Sequence, residues 1–87
     1  MTLLPPGSYP PEVCAALDGF LITDSRMVLL VYELPDASFA HFKITLDAPS
    51  VGWAYSVTFF RSEETSEVRN QLNKGVAFLL DKLATVN

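Results

Sequence analysis

The C-terminal segment, residues 62–86, constrains the fold more than any other part of this chain. Its apolar residues recur at intervals of three and four, which at about 100° per residue places them on one stripe of a helix. These residues are Val68, Leu72, Val76, Leu79, Leu83 and Val86. Ser62 is suited to cap the first turn, and the glutamates that follow it favour the positive end of the helix dipole. The pattern predicts one long amphipathic helix, which needs an apolar surface to lie on.

The hydrophobic period changes to two upstream of this helix, which predicts strands. We expect a β-meander within residues 20–60, built of four strands at 20–23, 27–34, 39–46 and 53–60. Tight turns at Asp24-Ser25 and at 35–38, and a loop at 47–52, leave only short connections between the strands. Short connections favour antiparallel pairing of sequential neighbours.

The second predicted strand is apolar on both faces, which is typical of a central strand that is covered on two sides. One face carries Met27, Leu29 and Val31, and the other carries Val28, Leu30, Tyr32 and Leu34. One helix covers only one face of a sheet. We expect the face with Met27, Leu29 and Val31 to be the second one, which needs the N-terminal residues or another subunit to cover it.

The N-terminal residues 1–10 are rich in proline, which removes amide donors and favours extended backbone. We predict an extended arm there, followed by a short helix over residues 11–18 that Pro11 opens and Gly19 ends. The whole chain, residues 1–87, is then one α+β domain. It combines a four-stranded antiparallel meander, a long C-terminal helix packed on one face, and a short N-terminal helix after a proline-rich arm.

The composition of the chain favours an interface with another protein chain and disfavours binding to nucleic acid. Hydrophobic residues make up 49% of the chain, although a chain of 87 residues buries only about 60–65% of its unfolded surface. Part of this apolar surface is therefore expected to meet a second chain. Ten acidic and six basic residues give a net charge of −4, which disfavours binding to phosphates.

Few residues offer catalytic or metal chemistry. His41 is the only histidine and is expected to be solvated on its strand, and zinc requires three or four ligands. Cys14 is the only cysteine, so no internal disulfide forms, and its apolar neighbours predict a buried, inert thiol. The cluster of Glu63, Glu64 and Glu67 is interpreted as the acidic first turn of a helix. We expect no catalytic residue, metal or cofactor.

A single cysteine fits a reducing compartment, and we expect a cytoplasmic protein. The N-terminal residues do not resemble a signal peptide, and the apolar runs are too short to span a bilayer. No nucleic-acid or membrane partner is therefore expected.

Aromatic residues supply two further candidates. Phe78 falls on the polar side of the C-terminal helix, so it is a candidate interface residue together with Met27, Leu29 and Val31. The alternative is that Phe78 covers the edge of the sheet. The other candidate is an aromatic pocket between helix and sheet, lined by Trp53, Tyr55 and Phe42.

These observations predict a small acidic protein–protein interaction module that is not an enzyme. It would act as an adaptor, regulator or inhibitor by surface recognition, and its expected partner is a second copy of itself in a homodimer. The alternative is a domain that binds a small ligand in the aromatic pocket. A third possibility is an acidic inhibitor that mimics nucleic acid.

Overall fold

A single antiparallel sheet forms the centre of the fold. We analysed a computed structural model, which describes residues 1–35 and 40–85. Its strands are β1 (Thr2–Leu4), β2 (Val28–Glu33), β3 (Phe42–Ala48) and β4 (Trp53–Phe59), and they lie side by side in this order. The predicted α+β class and the four-stranded antiparallel meander are confirmed.

The first strand of the sheet comes from the proline-rich arm and not from residues 20–23, as the sequence had suggested. Leu3 pairs with Tyr32, so the arm occupies one edge of β2, and β3 occupies the other. No edge of β2 beside these residues is left for a strand at 20–23. Pro5 directly follows β1 and lacks the amide hydrogen that further pairing requires. Residues 20–23 lie outside the sheet and pack apolar side chains against the core, namely Phe20 and Ile22.

The expected turn at Asp24 is present, and it leads into β2. The Asp24 carbonyl accepts a hydrogen bond from the Met27 amide at 3.1 Å. Its carboxylate accepts from the Arg26 amide at 2.9 Å and from the Arg26 guanidinium at 2.7 Å. The side-chain bond to Arg26 is the main cause that lowers the pKa of Asp24 to about 2. This local network fixes the point at which the chain enters the sheet.

The third strand begins and ends later than the predicted 39–46. Of the predicted residues, Phe39 lies outside the described part of the chain, as do residues 36–38 of the predicted turn. β3 continues to Ala48, which pairs with Trp53, and Pro49 then opens a short 3-10 turn, Pro49–Val51. Gly52 follows with a φ of 71°, a left-handed conformation that glycine adopts without strain. This tight connection fixes the register between β3 and β4.

The two faces of β2 are the reverse of the expected ones. The register sets Val31 beside Ile44 and Leu29 beside Leu46, and Ile44 and Leu46 are fully buried. Val31 is fully buried, Leu29 packs against the core, and Met27 is only 6% exposed. Met27, Leu29 and Val31 therefore lie on the face that the helices cover, and not on the second face of the sheet as expected. The pattern was ambiguous because both faces of β2 are apolar, and only pairing with β3 decides between them.

The long helix is α2 (Thr65–Ala84), and it covers the inner face of β3 and β4. The predicted stripe is confirmed within the described residues: Val68, Leu72, Leu79 and Leu83 are buried, and Val76 is half-buried. The helix begins three residues after Ser62, and Glu64 stands at its cap position without a capping side chain. Glu63 accepts a hydrogen bond from the Phe60 amide, so the residues before Thr65 form a separate turn.

The short helix is α1 (Pro11–Leu17), and it lies beside α2 on the same side of the sheet. Arg69 of α2 donates to the Ala15 carbonyl at 2.7 Å and to the Ala16 carbonyl at 3.4 Å, so it joins the C-terminal end of α1 to α2. Val13 and Ala16 belong to the same buried cluster as the inner residues of the sheet. Both helices therefore cover one face of the sheet. Neither helix in the described ranges has the length and hydropathy needed to cross a membrane.

We expect Leu79→Ala to lower the free energy of unfolding by about 2–5 kcal/mol, because Leu79 is fully buried between α2 and the sheet. Leu80→Ala is the matched control, since Leu80 is 38% exposed on the same helix and its loss should cost much less. Urea denaturation of both variants measures the difference. Equal midpoints for the two variants would contradict the packing of α2.

Candidate functional site

The candidate site is the outer face of the sheet, which is the face opposite to α1 and α2. The strand registers place ten side chains on it: Leu3, Val28, Leu30, Tyr32, Lys43, Thr45, Asp47, Ala54, Ser56 and Thr58. Each of them is exposed or half-buried, whereas most side chains that alternate with them are in the core. No element of the described chain forms a second layer over this face.

One half of the outer face is apolar. It is formed by β1 and β2, with Leu3 54% exposed, Val28 44% exposed, and Leu30 and Tyr32 half-buried between them. Single exposed leucines are ordinary on protein surfaces, but four neighbouring apolar side chains on one face of a sheet form a patch. Such a patch is typical of a surface that another protein covers.

The other half of the outer face, on β3 and β4, is polar and carries little charge. Thr45 and Ser56 face each other across the strands and share a hydrogen bond of 2.9 Å. Lys43 lies beside Tyr32, with its amino group 6.0 Å from the ring centroid. Lys43 and Asp47 are the only charged side chains that the register places on this face, one of each sign.

A shallow apolar groove borders the outer face where β1 ends. Its volume is about 250 Å³, and it is lined by Leu3, Leu4, Pro5, Pro6, Tyr9, Leu29 and Leu30. The groove exists because β1 pairs only with residues 31–33 of β2. The first half of β2 therefore has a strand partner on one side only, within the described residues. The groove extends the apolar patch around this edge.

The predicted interface residues do not share this surface. Met27, Leu29 and Val31 face α1 and α2 from the other side of the sheet. Phe78 is half-buried and packs on the edge strand, with its ring 5.5 Å from the Trp53 ring and 6.0 Å from the Tyr55 ring. The Lys82 amino group lies over Trp53 at 4.5 Å. Phe78 thus occupies the position of the alternative interpretation, in which it covers the edge of the sheet.

The three predicted pocket residues do not share one site, since Trp53 and Tyr55 both contact Phe78 and Phe42 lies at the other end of the sheet. The register pairs Phe42 with Phe59 at one end of the sheet and Trp53 with Ala48 at the other. Phe42 is fully buried, whereas Trp53 is 46% exposed. Tyr55 lies directly under α2, so close that a side chain at Gly75 would meet its ring. These contacts fill the space between helix and sheet with packed rings where the sequence suggested a cavity.

His41 is held by the backbone of three neighbouring segments, and it is half-buried rather than solvated as expected. Its amide donates to the Phe59 carbonyl at 3.0 Å, and its carbonyl accepts from the Leu34 amide at 2.9 Å. Nδ1 of its ring accepts a hydrogen bond from the Arg61 amide at 3.0 Å. The ring also lies edge-on to Phe60 at 5.5 Å. These bonds occupy the nitrogen that a general base would use and give His41 a structural role.

Arg61 ties the same region to α1. Its guanidinium bonds Glu12 at 2.6 Å, reaches Glu33 at 3.8 Å, and lies 4.8 Å from the centre of the Phe42 ring. The pKa of Glu12 lies below its usual value because the carboxylate accepts from its own backbone amide and from Arg61. Opposite charges on separate elements are thereby paired, and the arrangement joins α1, β2 and the segment before α2.

The described residues do not assemble a metal site. Among residues 1–35 and 40–85, no three side chains of the His, Cys, Asp or Glu type are grouped closely enough to hold an ion. Glu63 bonds the Phe60 amide, and Glu12 bonds Arg61.

The prediction of a buried Cys14 is wrong. Cys14 is exposed, and its thiol donates to the Tyr9 carbonyl at a sulfur–oxygen distance of 3.5 Å. On α1 the buried positions are Val13 and Ala16, with Leu17 half-buried beside them. Cys14 points away from this face, because it follows Val13 by about 100° around the helix.

Gly75→Ala tests the close contact between α2 and Tyr55. Alanine favours helix by about 1 kcal/mol over glycine, but a β-carbon at position 75 would clash with Cδ1 of Tyr55. We therefore expect a lower free energy of unfolding in chemical denaturation. The cost should shrink in a Tyr55→Ala background, where the ring is gone. A Gly75→Ala variant that is more stable than the wild type would show that the helix and the sheet are farther apart.

Cys14 should react readily with a thiol reagent under native conditions, because its side chain is exposed. The native rate should be close to the rate in denaturant, as measured by mass spectrometry over time. Cys14→Ser should take up no reagent. Slow native labelling followed by a large acceleration in denaturant would instead indicate a buried thiol.

Comparison with known proteins adds no family to this description. No family model, no curated protein and no solved structure matches the chain significantly. The residues of the chain itself are therefore the basis for its proposed function.

Proposed function

We propose that this chain is a non-enzymatic protein–protein interaction module that binds through the outer face of its sheet. The observation that carries the proposal is the apolar patch of Leu3, Val28, Leu30 and Tyr32 on a face that no described element covers. Burial of apolar area drives most protein association, at roughly 25 cal/mol for each Å² removed from water. The patch lies on the open face of a sheet, and small molecules prefer concave pockets to such a surface.

The chemistry of the remaining surface supports the same proposal. The nitrogen Nδ1 of His41 accepts a backbone hydrogen bond, and the carboxylate of Glu12 is paired with Arg61. The groove beside β1 has about 250 Å³ and lies below the range of roughly 300–1,000 Å³ that is typical of small-ligand pockets. The outer face has one acidic side chain, Asp47, whereas a mimic of nucleic acid needs many. Protein binding therefore fits this surface better than either alternative.

Self-association and a cytoplasmic location are part of the proposal. A homodimer lets the same apolar patch cover its own copy, and two-fold dimers are the commonest closed assemblies. The single cysteine, Cys14, fits a reducing compartment, since it has no second cysteine in this chain with which to form a disulfide. The module would act as an adaptor, regulator or inhibitor by surface recognition.

Leu30→Glu should abolish binding through the outer face, because it puts a charge in the middle of the apolar patch. We expect the wild type to gain mass with concentration in multi-angle light scattering, and the variant to remain a monomer. Leu80→Glu is the matched control, since it changes an exposed leucine on α2, and it should behave as the wild type. Leu3→Glu, at a residue that is 54% exposed, gives the same test with little risk to folding.

A dimer that survives both outer-face substitutions would contradict the proposal. If the wild type is a monomer at every concentration, each variant serves as bait in a cell lysate. Proteins retained by the wild type and by Leu80→Glu, but lost with Leu30→Glu, support binding of another protein through the outer face. Equal retention by all three baits would contradict it.

A further inference from the structure

The outer face has a symmetric layout about one row of residues that crosses the sheet. This central row consists of Leu30, Thr45 and Ser56, which lie directly opposite one another on β2, β3 and β4. Two residues away on one side lie Tyr32, Lys43 and Thr58, which also form a row. Two residues away on the other side lie Val28, Asp47 and Ala54.

The two flanking rows match each other strand by strand. On β2, an apolar Val28 corresponds to an apolar Tyr32. On β3, Lys43 corresponds to Asp47, so the two charges that the register of the described strands places on the outer face have opposite signs and lie at equal distances from the central row. On β4, the small Ala54 corresponds to the small Thr58. The face is thus complementary to itself when it is turned end over end.

We infer that the partner of the outer face is a second copy of this chain, stacked sheet on sheet about a two-fold axis along the central row. This inference rests on the proposed function and specifies its partner. Such an axis lies between the two sheets and sets each strand antiparallel over its own copy. Leu30 then meets Leu30 of the second copy, and Val28 meets its Tyr32.

The same axis sets Lys43 of each copy over Asp47 of the other, so two ion pairs form. Packed sheets lie about 10 Å apart with strands aligned within about 30°, a gap that a lysine and an aspartate together span. Neither residue has an ion pair of its own within the described chain, where the pairs involve Arg26 and Arg61. The opposite charges of Lys43 and Asp47 favour this orientation. With the strands of the two copies parallel, each charge would meet its own like charge, which disfavours that orientation.

The other residues of the outer face are compatible with burial in this arrangement. Thr45 and Ser56 already bond each other at 2.9 Å, so their hydroxyls retain a partner when water leaves. Leu3 lies beside Tyr32, and the axis carries it to the Val28 end of the second copy. There β2 extends beyond β1 and the apolar groove lies open.

The size of the face predicts a weak and reversible dimer. The four strands have 23 residues in total, which at about 3.3 Å along each strand and about 4.8 Å between strands cover roughly 360 Å² per copy. Stable interfaces bury about 800 Å² per partner. The dimer should therefore dissociate on dilution, and sedimentation equilibrium over a wide concentration range is the measurement that resolves it.

Charge reversal tests both the partner and the orientation. Lys43→Asp sets the new aspartate of each copy against Asp47 of the other copy. Asp47→Lys likewise sets the new lysine of each copy against Lys43 of the other copy. Each single variant should weaken its own dimer about tenfold or more. An equimolar mixture of the two variants should associate again as a heterodimer, and the double variant Lys43→Asp/Asp47→Lys should regain the wild-type affinity. Lys74→Asp, on the exposed side of α2, is the control and should change little.

Each other outcome overturns the inference in a distinguishable way. A wild type that remains a monomer at the highest concentrations overturns the inference and the proposed homodimer, and leaves only the binding of a different protein through the outer face. A dimer that Leu30→Glu dissociates, but that charge reversal does not affect or that mixing does not restore, excludes this orientation only. A dimer that neither Leu30→Glu nor charge reversal weakens excludes the outer face altogether. Circular dichroism of each variant confirms that the fold is retained.

Discussion

The structure depends on the packing of two helices against one and the same face of a four-stranded sheet. α2 covers β3 and β4, α1 lies beside it, and Arg69 joins the two by bonding the carbonyls at the end of α1. The buried residues of both helices and of the inner sheet face form a single cluster. Both α-helices of the described chain lie on this side of the sheet. The opposite face of the sheet therefore meets solvent or another molecule.

The sequence predicted the elements that are periodic and long. The stripe of α2 is visible in the spacing of Leu72, Leu79 and Leu83, which are buried as expected, and the alternation of β4 is visible in the spacing of the buried Val57 and Phe59. Periodic patterns of this kind indicate both the type of element and the side chains that face the core. The class of the fold followed from them, because a long amphipathic helix after a meander leaves few arrangements.

The sequence did not determine which strand lies at the edge of β2 or which face of β2 is buried. Residues 2–4 and 20–23 are both short apolar segments, and pairing with residues far away in the chain selects between them. β2 is apolar on both faces, so the alternation of its residues does not indicate which face is buried. The pairing of Val31 with the buried Ile44 determines the buried face. The candidate site depends on this choice. Lys43 was visible as an outward residue of a strand, whereas Asp47 fell in the predicted loop, and the symmetry of the two required the register.

Cys14 and His41 show how local sequence can mislead about single residues. The apolar neighbours of Cys14 suggested burial, but α1 is buried only along Val13, Ala16 and Leu17, and the thiol lies off that line. His41 was expected to be solvated because it alternates with the inward residues of the predicted strand. It instead precedes β3, and its ring accepts a hydrogen bond from the Arg61 amide at the end of the sheet. Positions next to a chain reversal do not follow the alternation of a strand.

The pairing of β1 with β2 has a consequence for the order in which the chain folds. The chain passes directly from β2 to β3, β4 and α2, so contacts between these neighbours close short loops. The pairing of Leu4 with Val31 closes a longer loop. Closing a longer loop costs more entropy, and such contacts form late. Until then the edge of β2 beside Tyr32 has unpaired amides that another unfolded chain is able to join. The first strand in the chain is thus expected to enter the sheet last, and its pairing closes the edge of β2 beside Tyr32 to other chains.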